Sequence, residues 1–115
     1  MSAEKKEQDA SNSGPVHVIV TFSVKEDKYD AFMEAVKPMI VATNKEKGCS
    51  RYNIHCDQKN KCKVVMVEQW ESQDCLNKHL QQPHVKTFNE KQKAQGMAAG
   101  VPQIFFCGGP VIDLE

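Results

Sequence analysis

Residues 16–24, VHVIVTFSV, alternate between two faces. Val16, Val18, Val20, Phe22 and Val24 share one side, and His17, Ile19, Thr21 and Ser23 the other. A period of two with β-branched residues predicts a strand. Ile19 makes the second face partly apolar, so cover is expected on both sides. Over 25–48 the period changes. Tyr29, Phe32, Met33, Val36, Ile40 and Thr43 recur at three- and four-residue steps and form one helical stripe. Pro38 lacks an amide donor and is expected to kink or divide this helix. Gly48 is a plausible stop.

Alternation returns at 49–56, where Tyr52, Ile54 and Cys56 oppose Arg51, Asn53 and His55. A polar turn, DQKNKC, leads to a third strand over 63–71, with Val64, Met66, Glu68 and Trp70 on one face. Two strands joined by a short polar loop predict an antiparallel hairpin. Ser72 is a good N-cap and Asp74 suits the first turn of a helix through Cys75, Leu76, His79 and Leu80. Pro83 ends that helix and starts another carrying Val85, Phe88 and Lys91. GMAAG (96–100) is expected to be a loop. A fourth strand is expected near 103–107, broken by Gly108-Gly109-Pro110.

The order strand, helix, strand, strand, helix, strand predicts a ferredoxin-like α+β fold with an antiparallel four-stranded sheet. Helices cover one face of such a sheet. Apolar residues on both faces therefore predict a homodimer, with two sheets packed face to face.

Composition narrows the function. The chain has 115 residues, enough for one domain, expected over 15–115 behind a polar tail at 1–14 that cannot bury enough to order itself. Lys+Arg and Asp+Glu are both 15, so no strong field draws nucleic acid or a membrane surface, and neither is expected as a partner. The five cysteines (49, 56, 62, 75 and 107) are odd in number and include no CxxC pair, and the first residues lack an apolar leader. Free thiols in a reducing, cytoplasmic setting are the expectation.

The candidate chemistry lies in EQWESQDCLNKHLQQPHVKTF, residues 68–88. If Glu68 and Trp70 face the helices, they share that layer with His79. An imidazole titrates near neutral pH, so His79 is the candidate for proton transfer, with Glu68 as its partner. A carboxylate on a buried strand face needs pairing, which makes Glu68 a sharp clue, although an ion pair or cap would also account for it. Trp70 offers a flat apolar wall for a substrate ring, but a lone tryptophan is as often core. Tyr52, His84 and His55 are further substrate-binding candidates, and His17 a weaker one that the dimer partner would meet. Cys75, His79 and His84 have a spacing that zinc accepts, but no paired thiols accompany them and no fourth ligand is obvious, so no metal site is expected. The glycines make no phosphate-binding fingerprint.

Glu68-x-Trp70, then His79-Leu80-x-x-Pro83-His84 followed by Lys86-Thr87-Phe88, resemble the antibiotic biosynthesis monooxygenase family of dimeric α+β barrels. The upstream EAVKPMIVATNKEKGCSRYNIH is similar to that family's kinked first helix, glycine and second strand. The resemblance spans about residues 16 to 107. It implies a small domain that often needs no metal or prosthetic group, and no cofactor is expected. Family members include oxygenases of polyphenolic or quinol-type substrates, haem-degrading enzymes and an isomerase of a phosphorylated signalling sugar. The haem-degrading members use an asparagine, a tryptophan and a histidine, and the first strand here has no asparagine. The resemblance thus implies a cofactor-independent monooxygenase of a small aromatic or quinol-like substrate. An isomerase or lyase of a small oxygenated metabolite, or a silent dimeric binding or stress-response module, are the alternatives.

Overall fold

The computed structural model describes residues 14–108. The expected polar tail, apart from Gly14, lies outside them, as does the Gly109-Pro110 part of the break after the last strand. Four strands and three helices follow the expected order: β1 (Val16–Val24), α1 (Tyr29–Thr43) behind a short 3-10 turn, β2 (Cys49–Cys56), β3 (Lys63–Trp70), α2 (Gln73–His79), α3 (Pro83–Ala94) and β4 (Ala98–Cys107). The sheet order is β2-β3-β1-β4, with every neighbouring pair antiparallel. This is the ferredoxin-like α+β arrangement that the pattern predicted. Among the described residues no helix is long and apolar enough to cross a membrane.

The two-residue alternation fixes which side meets the helices. Val16, Val18 and Val24 of β1 are buried, as are Val64, Met66, Glu68 and Trp70 of β3. Register lays the inner face out in rows: Tyr52 opposes Glu68, Glu68 opposes Val18, and Val18 opposes Phe106. One acid therefore stands in a row of apolar groups. The outer face carries Asn53, Val67, Ile19 and Phe105 in register, with no helix over them among the described residues.

In α1 the buried residues are Phe32, Val36, Met39 and Thr43. Met39 replaces the expected Ile40 at the centre of the stripe, a small rotation that leaves Tyr29, Met33 and Ile40 half-buried. Pro38 does not divide the helix. It and Glu34, whose carbonyl loses its amide partner, both lie on the exposed side, where the lost bond costs least. Ser72 caps α2 as expected, its hydroxyl accepting from the Cys75 amide at 3.3 Å, and Pro83 opens α3. Trp70, Phe32 and Leu76 lie at the centre, each burial contributing roughly 1.5–3 kcal/mol or more. Edge-to-face contacts run from Phe22 to Phe32 (5.4 Å) and on to Phe88 (5.8 Å).

The expected loop at 96–100 is corrected in part. Pairing of β4 starts at Ala98, opposite Val24, and Ala99 pairs with Ser23. Gly100, at φ +89°, then sits in a register shift before Gln103 pairs with Thr21. Pro102 is tolerated because β4 is an edge strand.

Gly48 sets the corner between α1 and β2. Its φ is +85°, and a Cβ there would overlap the Cys75 side chain of α2. Gly48→Ala should cost about 1–2 kcal/mol from the left-handed backbone alone and more from the overlap. Urea unfolding of Gly48→Ala, Cys75→Ala and the double variant is the check. Removing the sulfur should recover part of the loss, whereas strictly additive effects would contradict the close approach.

Candidate active site

Strand β3 sends Glu68 and Trp70 to the same face two residues apart. The indole Nε1–H donates to Glu68 Oε1 at 3.0 Å, which pairs two buried polar groups inside the core. Burial pushes the Glu68 carboxyl above its ordinary range. The Trp70 hydrogen bond and the nearby His79 pull it partly back, while Glu46 adds to the rise.

His79 is the last residue of α2 and is buried. Its ring lies against Trp70 (4.6 Å between centroids, 38° between planes) and against Tyr52 (5.2 Å). Its Nδ1 is 2.8 Å from Glu46 Oε2. The same oxygen is 2.7 Å from Nε2 of His84, in the first turn of α3. A carboxylate only accepts, so both nitrogens facing it are donors. Neutral His79 then carries its proton on Nδ1 and leaves Nε2 with a free lone pair. Tyr52 donates its hydroxyl to Met66 Sδ at 3.3 Å, with Met39 Sδ at 3.8 Å. Burial, reinforced by the charges of Glu68 and Glu46, pushes its phenol pKa upward, so Tyr52 stays protonated.

These groups border a cavity of about 220 Å³ between the sheet and the helices. Its surface is largely apolar, with Val20, Phe32, Met66 and Leu76 among its walls, and Glu68, His79 and Tyr52 open onto it. Ile104 and Phe106 of β4 border it on the side where they remain half exposed.

The structure thus brings Glu68, His79 and Tyr52 to one hollow and corrects four other expectations. Trp70 is not a wall. It is fully buried behind His79, does not border the cavity, and serves as hydrogen-bond donor to Glu68 and backing for the imidazole. His84 does not reach the cavity either, because its ring is tied to Glu46. His55 is exposed on the outer face of β2, opposite Val65 and away from the hollow, since alternation sends it to the side opposite Ile54 and Cys56. The hydrogen-bonding partner of His79 is Glu46 rather than Glu68. Glu46 was not among the candidates. It sits between two lysines after α1, where the local sequence reads as a solvated charge run.

A family model described as antibiotic biosynthesis monooxygenase matches residues 15–91. No curated protein matches the chain closely. Among solved structures, a Mycobacterium tuberculosis protein is 22% identical, covering 89% of this chain and 100% of its own, with a TM-score of 0.76. A conserved protein from Methanosarcina mazei is 23% identical, covering 87% of this chain and 97% of its own, at 0.78. A Caulobacter crescentus protein that carries the family's name is 20% identical, covering 92% and 99%, at 0.79. At these identities the likeness establishes the fold.

The raised carboxyl of Glu68 has a consequence for stability. Between the ordinary carboxylate range and its own elevated pKa, the folded chain holds a proton that the unfolded chain has released. Stability therefore falls as pH rises through that window. Glu68→Gln removes this linkage yet keeps an oxygen for the indole N–H. Melting of the variant and the parent should coincide near about pH 4, and the variant should melt higher at about pH 8. A difference independent of pH would show that Glu68 ionises as freely in the folded chain as in the unfolded one.

Proposed function

The chain belongs to the antibiotic biosynthesis monooxygenase family, and from that premise we propose that it is a cofactor-independent monooxygenase of a small aromatic, quinol-like substrate. The observation that carries the proposal is the pairing, on one apolar hollow, of a buried carboxyl with an imidazole whose other nitrogen is held by an acid. Oxygen is inert toward closed-shell carbon until an electron reaches it. A phenol becomes a donor once it loses its proton in a dry site. His79 Nε2 takes that proton, and Glu46 supports the imidazolium that results. The substrate anion passes one electron to O2, and the two radicals join at a ring carbon as a peroxide. The peroxide takes up a proton and the carbon gives up its hydrogen, so that water leaves. One oxygen atom stays as the new carbonyl and the other departs in that water. Glu68, raised toward its protonated form by burial, is the group placed to protonate the peroxide. Trp70 and Tyr52 hold the imidazole plane, and Tyr52 stays a neutral phenol throughout.

The same base and buried acid suit an enolisation, which is how an isomerase or lyase would use them. The substrate decides between the two, because its anion must be electron-rich enough to pass an electron to oxygen. The open face of the sheet, with Ile19, Val67 and the half-exposed Phe105, supports a homodimer as the working form.

Oxygen uptake with a panel of quinols tests the activity. The parent should consume oxygen with at least one of them, His79→Ala should lose about a hundredfold or more, and His55→Ala should match the parent. No uptake by the parent with any quinol would overturn the oxygenase assignment. Deuterium exchange into a carbonyl substrate in its place would favour the isomerase. For the dimer, sedimentation at micromolar concentration should give about twice the chain mass, and a stable monomer would contradict it.

A further inference from the structure

The geometry points to a metal site formed by Glu46, His79 and His84, which takes one divalent ion of the zinc class in place of the protons held between them. The three residues come from the α1–β2 corner, the end of α2 and the start of α3. One carboxylate oxygen or ring nitrogen from each lies within 4.8 Å of the other two. Two imidazoles and a carboxylate suit zinc, cobalt or nickel rather than magnesium or calcium, which prefer all-oxygen sites. A tetrahedral ion at about 2.0–2.1 Å from each ligand sets neighbouring ligand atoms about 3.3 Å apart. The present oxygen-to-nitrogen separations are 2.8 and 2.7 Å, so each nitrogen need draw back from the carboxylate oxygen by only about half an ångström.

The ligands are unequally free, which suits such an opening. His79 is clamped between Trp70 and Tyr52, and its side chain is 3% exposed. Glu46 and His84 form the outer edge, at 11% and 22%, and give an ion a path from solvent and room for water as a fourth ligand. Cys75, which spacing alone pairs with the two histidines, is not part of the set. Its sulfur accepts from Ser72 and packs under Gly48. The missing third ligand is Glu46, distant in sequence.

Loading this site would change what His79 offers the cavity. An ion on Nδ1 obliges a neutral imidazole to carry its proton on Nε2, which turns the free lone pair into a donor. Zinc would then inhibit the proton abstraction described above. That consequence rests on the proposed function, whereas the binding itself does not.

Chelator-treated full-length protein titrated with Co2+ alone, at about pH 7.5, gives the direct test. A saturable visible absorption at one ion per chain, displaced by Zn2+, is the expected result. Glu46→Gln and His84→Ala should each weaken binding at least tenfold. His84→Gln serves if the alanine variant does not fold, and circular dichroism checks each variant. His17→Ala and His55→Ala should bind as the parent does. Absence of a saturable signal, or unchanged binding in folded Glu46 and His84 variants, would overturn the site. Because the readout is absorption, the result stands whether or not the protein consumes oxygen.

Discussion

A single carboxylate oxygen, on Glu46, holds the working end of this protein together. It accepts from His79 and from His84, residues 33 and 38 positions further along the chain. Those two bonds tie the corner after α1 to the end of α2 and the start of α3. The corner is itself anchored, since Asn44 donates both to the Ile40 carbonyl and to the Tyr52 carbonyl of β2. Hydrogen bonds to an ionised acceptor are about twice as strong as neutral ones. Here they also do something geometric, because they choose which imidazole nitrogen faces the acid and therefore which is left over.

The second constraint is the placing of Glu68. Antiparallel register puts it between Tyr52 and Val18 on a face otherwise given to apolar groups. A carboxyl there is tolerable because the indole N–H satisfies one oxygen and His79 lies close by. Each acid of the site is thus paired with a ring: Glu46 orients the imidazole, and Glu68 is itself oriented by the indole. The fold supports many chemistries, so it is these two pairings that narrow the choice.

Much of the fold was legible along the chain, because strands with one buried face leave an unambiguous period-two signature. The burial of β3 follows it residue by residue and that of β1 at Val16, Val18 and Val24, and Ser72 and Pro83 mark the starts of two helices. The phase of α1 was harder to read. Met39 and Ile40 are both apolar and adjacent, and only packing against Tyr52 chose the methionine. The start of β4 is not legible in the sequence, because Ala98 and Ala99 have no strand signature of their own and their pairing is imposed by β1. Glu68 and His79 could be singled out as a buried acid and a helical histidine. Their separate partners could not: Glu46 reaches His79 only when distant segments meet, and a shared strand face does not by itself say that the Trp70 indole N–H bonds the Glu68 carboxyl. A glutamate flanked by two lysines carries no local mark of burial.

The two methionines around Tyr52 bear on the oxygen chemistry proposed above. Thioethers are soft, easily oxidised groups, and Met39 and Met66 both border the cavity. Under that proposal, a peroxide that strays from its substrate has oxidisable sulfur in the same hollow. Sulfoxide formation would place a polar, chiral S=O where the phenol hydroxyl now rests, and would spoil the packing that keeps the imidazole plane fixed. The catalyst would then wear out from within, its lifetime set by how rarely turnover misfires and by how readily repair enzymes reach those two side chains.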